Sequence, residues 1–161
     1  MNLRPCSSLL CSILLLNAES AAGLKWTPPA AWKTESGARP MRVATYIVDD
    51  AECAVYFFGP GQGGSIDDNL ARWKKQFHGP DAKTGKRTIH SLAVTTIDVS
   101  GDYSGMGGPM SGGGVAKSGY RMLGAIVEGP GGNVFFKFTG PAKTIAANQP
   151  KFELLLGSVV K

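Results

Sequence analysis

A chain of 161 residues, 43% apolar and 18% charged, has the balance of one globular domain rather than of a disordered tail or a fibre. Its formal net charge of +5 sits on dispersed lysines and arginines that form no basic run and no aromatic-interleaved stripe. That pattern argues against nucleic acid as a partner and leaves a weak attraction to anionic surfaces.

The first segment, residues 1–22, has the build of a secretory signal. Arg4 supplies a short basic region, Leu9 to Leu16 an apolar run, and Ala18-Glu19-Ser20-Ala21-Ala22 the small residues that place cleavage after Ser20 or Ala22. The run is far short of the roughly twenty residues that span a bilayer core, and no other stretch is long enough. A lipid anchor at Cys11 is disfavoured, because leucines precede it where a small residue belongs. The expectation is an exported chain, periplasmic or extracellular, with residues 23–161 as a single domain and no transmembrane segment. Cys6 and Cys11 leave with the signal, so Cys53 has no partner for an internal disulfide and stability must come from the core.

Leu24 to Thr27 reads as a short strand, followed by an extended Pro28-Pro29 segment whose neighbours Trp26 and Trp32 tack it to the core. Met41 to Val48 and Glu52 to Phe58 are rich in β-branched and aromatic residues and should pair as a hairpin around Asp49-Asp50-Ala51. In the second arm both faces are apolar, which makes it central and makes Cys53 a buried structural thiol.

A glycine turn, Gly59-Pro60-Gly61-Gln62-Gly63-Gly64, then leads to Ser65, an N-cap with Asp68 placed for a capping box. Ile66, Leu70, Trp73 and Phe77 recur at i, i+4, i+7 and i+11 as one apolar stripe, with Asp68 and Arg72 spaced to pair on the wet face. Gly79-Pro80 should stop this helix, and Gly79 to Lys86 reads as a polar connection. Arg87 to His90 and Leu92 to Tyr103 read as strands around a turn near Ser91. From Gly101 to Gly119, eight of nineteen residues are glycine, and the stretch reads as a mobile loop. Tyr120 to Glu128 and Asn133 to Thr139 form the clearest hairpin, joined by Gly129-Pro130-Gly131-Gly132. The last apolar set, Phe152, Leu155, Leu156, Val159 and Val160, predicts a terminal helix capped by Asn148, with Pro150 in its first turn breaking any longer helix. The order predicts an α+β fold: an antiparallel sheet of about six strands, one central helix and a C-terminal helix.

The glycine turn matches G-x-G-x-x-G after a strand and before a helix, the context of a dinucleotide fingerprint. The strands before it form a hairpin, no parallel strand follows, and the phosphate-loop lysine is missing, so a tight strand-to-helix turn is preferred. The amides of Gly63, Gly64 and Ser65 remain candidates to hold a simple anion. Tyr103, Met106 and Met110, in the glycine-rich loop, complete the candidate ligand-binding set. No catalytic residue, cofactor or metal site is assigned. His78 and His90 lack ligand spacing with a carboxylate or cysteine, and copper on Met106, Met110 and a histidine is a minor alternative. Asp98 and Asp102 read as solvent-facing acids.

Two blocks carry a resemblance: Gly61-Gln62-Gly63-Gly64-Ser65 with Asn69, Arg72-Trp73 and Gln76-Phe77, and Gly119 to Glu128 continuing to Phe136-Lys137-Phe138-Thr139-Gly140-Pro141. They resemble an uncharacterised family of small exported bacterial proteins over nearly all of residues 23–161, and the element order is similar to the PsbP-type α/β/α sandwich. The resemblance implies a binding or accessory role by fold analogy and brings no catalytic residues, cofactor or substrate. The expected function is therefore a non-enzymatic binding or accessory module acting on an unknown protein or envelope component. An anion- or nucleotide-binding protein or enzyme built on the Gly59 to Ser65 turn is the alternative.

Overall fold

Phe135, Phe136 and Phe138 load both sides of one strand, and a sheet that is apolar on both faces must be covered on both. The computed structural model, which describes residues 18–37, 39–78, 82–105 and 116–161, shows how. In chain order the elements are β1 (Glu19–Ala21), β2 (Leu24–Trp26), β3 (Lys33–Thr34), β4 (Arg42–Val48), β5 (Ala51–Tyr56), α1 (Ile66–Lys75), β6 (Phe77–His78), β7 (Ala82–Ile89), β8 (Leu92–Tyr103), β9 (Lys117–Gly129), β10 (Gly132–Pro141) and α2 (Ala142–Gly157). One antiparallel sheet runs β3-β4-β5-β10-β9-β8, and β7 and β6 share the outer side of β8. With the β1-β2 ribbon the strands among the described residues number eight plus two, more than the six expected, in the α+β antiparallel class predicted.

On one face, α2 and the β1-β2 ribbon cover Phe136 and Phe138. Phe152 of α2 stacks on Phe138 at 5.7 Å, and Trp26 meets Phe136 edge-on at 5.4 Å while its indole N–H donates to the Tyr46 hydroxyl at 2.8 Å. Trp32 packs on Phe138 at 5.1 Å, so both tryptophans fasten their segment to the core as expected. Cys53 lies fully buried in this layer as a free thiol, and burial pushes its pKa up, which keeps it inert. Residues 19–21, inside the segment expected to leave with the signal, pair with β2; cleavage after Ser20 or Ala22 removes most or all of that strand. Two backbone bonds between Lys25 and Val160, 2.8 and 2.9 Å, hold β2 independently of it.

On the other face α1 sits on β8, β9 and β10. Ser65 caps it, its Oγ accepting from the Asp68 amide at 3.1 Å and donating to the Asp68 carboxylate at 2.6 Å. That contact takes Asp68 away from Arg72, which donates instead to the fully buried Asn69. Trp73 and Phe77 are buried with Ile97, Val99, Met122, Ile126 and Phe135, while Ile66 and Leu70 are half-buried; Phe77, the last of the stripe, already belongs to β6. Gly124 makes the seat: a Cβ there would lie 2.6 Å from Trp73 Cζ3 and 2.8 Å from Ile97 Cγ2.

Three expectations are corrected. Residues 82–86 are not a connection but the first part of β7, paired with β8 from Ala82↔Val99 to Ile89↔Leu92. Nearly all of β7 is exposed, so this edge strand carries Lys83, Lys86 and Arg87 and reads as a polar loop. Helix α2 runs unbroken through Pro150. The carbonyl that Pro150 leaves without a partner belongs to the exposed Ala146, within reach of water, and burial of Ile145, Phe152, Leu155 and Leu156 on the other side outweighs the lost bond. Asn148 is not a cap; it is buried mid-helix with its amide donating to the Thr144 carbonyl at 3.1 Å. At the predicted loop, β8 reaches Tyr103 and β9 begins at Lys117, and residues 106–115 lie outside the described part.

Trp73→Ala is expected to destabilise the fold by about 3–5 kcal/mol and Gly124→Ala by about 1–3 kcal/mol in urea titrations. Because the two residues touch, the double variant should lose clearly less than the sum. Additive losses would show that the indole does not rest on Gly124.

Candidate functional site

Helix α1 has ten residues, about 15 Å of rise, and cannot cover its face of so wide a sheet. Beyond its C-terminal end the floor of β5 and β10 stays open as a trough of about 590 Å³. The end of β8 turns over it. At a bulge between Gly101 and Tyr103, where Gly101 has a φ of 151°, the strand shifts register and pairs Tyr103 with Lys117 of β9 and with Phe77 of β6. The Ser104 amide donates to the Gln76 carbonyl at 3.0 Å, tying this bend to the end of α1.

Floor and walls follow from register. Lys137 on β10 stands directly opposite Ala54 of β5, a small residue that leaves space beside a long side chain, and opposite Gly124 of β9, over which Trp73 rests. Thr139 lies two positions on and points the same way. Tyr56, Tyr103 and Tyr120 form the walls. Tyr103 and Tyr120 stack with ring centres 5.8 Å apart and 4° between planes; Lys117 Nζ lies 5.5 Å from the Tyr120 ring and Lys137 Nζ 5.5 Å from the Tyr103 ring. At the opposite rim Arg42 lies 5.3 Å over Tyr56 and 2.8 Å from Glu52, a carboxylate that Arg39 shares at 3.7 Å. Asp49 and Asp50 line the end of the trough at the β4-β5 turn, and Asp50 accepts from Thr144 at 2.6 Å.

Lys137 is the unusual member. It is 6% exposed, and its Nζ donates to the Gln76 side-chain oxygen at 2.6 Å and lies 3.5 Å from the Tyr103 hydroxyl. Both partners are neutral. Among the described residues no carboxylate forms an ion pair with it. Burial, and then the positive charges of Arg42 and Arg72, lower its pKa from the ordinary 10.5 to about 8. Burial likewise raises the Tyr56 and Tyr103 phenols. The Thr139 hydroxyl is buried without a hydrogen-bond partner. An ammonium without a counter-ion and a hydroxyl without a partner thus share one face of β10.

Of the residues singled out from the sequence, Tyr103 lines the trough. Gly63, Gly64 and Ser65 do not; they form the entry to α1. The Asn69 side-chain amide donates to the carbonyls of Gly63 and Ser65 at 2.7 and 2.8 Å, and a Cβ on Gly63 would lie 2.8 Å from Phe58 and 3.1 Å from Phe135. The glycine there brings backbone onto two phenyl rings. Met106 and Met110 lie outside the described residues. Asp98 is not a free surface acid: Arg121 grips it at 2.8 and 2.7 Å and reaches Gln149 of α2 at 3.0 Å. His90 Nδ1 donates to the Val159 carbonyl at 2.9 Å. Among the described residues no group of three or more His, Cys, Asp or Glu is gathered for a metal ion. Lys137, Thr139 and Tyr120 fall in the blocks that carry the family resemblance, but neither they nor Tyr56 are named as site residues from the sequence. The one signal for Lys137 is its place inside a phenylalanine-rich strand loaded on both faces, where a charge has no water to reach.

The fold is of the PsbP-type class, an antiparallel sheet between helices. Over 98% of both chains it is similar to the solution structure of cyanobacterial PsbP (CyanoP) from Synechocystis sp. PCC 6803, with a TM-score of 0.56 and 13% identity. A protein of unknown function, PA94 from Pseudomonas aeruginosa, aligns over 89% of this chain and 95% of its own with a TM-score of 0.45 and 14% identity. No family model matches the sequence, and no curated protein matches it. Among the described residues no helix is long and apolar enough to cross a membrane.

The depressed lysine pKa has a sign that can be measured. Between about pH 8 and 10.5 the unfolded chain binds a proton at residue 137 that the native chain does not, so stability rises with pH in that window. Below it the whole cost, on the order of 3 kcal/mol, is present. Lys137→Met should be more stable than the wild type by about 1–3 kcal/mol at pH 7 and lose that advantage by pH 10, in urea titrations at the two pH values. A variant no more stable than the wild type at pH 7 would mean that this ammonium is hydrated.

Proposed function

We propose that the chain is an exported, non-enzymatic binding or accessory module and that the trough between α1 and the bent end of β8 is where its ligand or partner docks. One observation carries the reading: where α1 ends, the sheet face carries three tyrosines and a buried ammonium that forms no ion pair among the described residues, instead of the aliphatic residues that closing the layer calls for. A concave site with aromatic walls and a few convergent polar groups is the usual form of a ligand site. The likeness to CyanoP supports this by fold analogy alone. Export rests on residues 1–22, and the Lys25–Val160 bonds leave β2 docked after cleavage.

Two measurements test the reading. In a thermal-shift screen of small metabolites and envelope-derived fragments, compounds that stabilise the wild type should fail with Tyr103→Ala and still act on Ser65→Ala; the reverse pattern would move the site to the glycine turn. Expressed in a bacterial host with its own N-terminus, the chain should be recovered from the periplasm or medium starting at Ala21 or Gly23. An uncut cytoplasmic product would contradict export.

A further inference from the structure

We propose that the trough is a binding site for a small organic monocarboxylate with a flat ring body, its carboxylate seated against Lys137 Nζ and Thr139 Oγ1 and its ring among Tyr56, Tyr103 and Tyr120. The inference deepens the binding reading above and rests on it.

Two independent features point to the anion. Buried charges in proteins are paired, yet Lys137 spends one donor on the Gln76 amide oxygen, has a second near the Tyr103 hydroxyl, and forms no ion pair among the described residues, Glu52 acting on it only at longer range. An ammonium held this way lacks its counter-ion. The Thr139 hydroxyl, on the same face of the same strand, is buried and unbonded. A carboxylate has acceptor sites enough for both groups. The body of the ligand follows from the walls: the parallel Tyr103–Tyr120 pair and Tyr56 present ring faces and edges, which favour a flat apolar partner. A trough of about 590 Å³ is the size of a drug-like molecule. The remaining charges limit the anion. Asp49, Asp50 and Glu52 line the same trough and repel a phosphate dianion more than a monoanion; against them stand the exposed Lys117 and Arg42, which is paired with Glu52.

The experiment compares benzoate, its neutral isostere benzamide and inorganic phosphate on the full chain, with amide chemical-shift perturbation giving Kd. Benzoate should bind at least tenfold more tightly than benzamide and shift residues of β10 and the end of β8, with phosphate weaker than either. Lys137→Met should weaken benzoate at least tenfold and leave benzamide within twofold. If that variant loses its dispersed spectrum, Thr139→Val serves, with an expected two- to fivefold loss for benzoate alone. Equal binding of benzoate and benzamide at the trough would overturn the carboxylate and leave the binding-module reading standing. Tighter binding of phosphate, benzoate binding untouched by either substitution, or no trough shifts with any of the three would also overturn it.

Discussion

The indole of Trp73 resting on Gly124 is the contact from which the working half of the molecule is set out. It fixes how far α1 lies across β9, and therefore where the helix ends. Gln76, one residue past that end, is placed by this to meet Lys137 with its side chain at 2.6 Å and Ser104 with its carbonyl at 3.0 Å. Through those two bonds the end of the helix, the floor of the trough and the bent end of β8 become one unit. The short length of α1 is as important as its position, since the chain leaves the helix at Gln76 and passes into β6 beside Tyr103.

Lys137 sets stability against binding. A methionine or leucine at this point of β10 would pack against Ala54 and cost nothing in desolvation, whereas the ammonium gives up its water for one amide oxygen and a distant phenol. The cost is local, because the opposite face of the same strand is closed by Phe136 and Phe138 under Trp26, Trp32 and Phe152. One strand therefore carries closely packed aromatic rings on one face and, on the other, a buried ammonium and an unbonded hydroxyl. A fold that rests on one face is free to leave the other unfinished.

Much of the architecture is legible in the residues. Both hairpins and α1 announce themselves because their apolar periodicity is strong and their turn and cap residues agree with it. The fold class followed from their order. β7 is hidden because an edge strand exposed on both sides has no alternation to show, and α2 looks broken because Pro150 speaks locally while Ile145, Phe152 and Leu155 speak through tertiary packing. The candidate site is barely legible. Tyr103 stands out only by its place next to a glycine-rich stretch, and the weight of Lys137 depends on what is missing above it, which sequence spacing does not encode. The glycine turn, by contrast, draws attention as a motif, while the carbonyls of Gly63 and Ser65 accept from the Asn69 side chain at the entry to α1.

Lys137 is a desolvated ammonium with no ion-pair partner among the described residues, and a direct titration tests this. Followed through its ε-carbon by NMR in selectively labelled protein, Lys137 should titrate with a midpoint at about 8. A midpoint at the ordinary 10.5 would put this side chain in water or beside a carboxylate, and the trough would lose the feature that defines it.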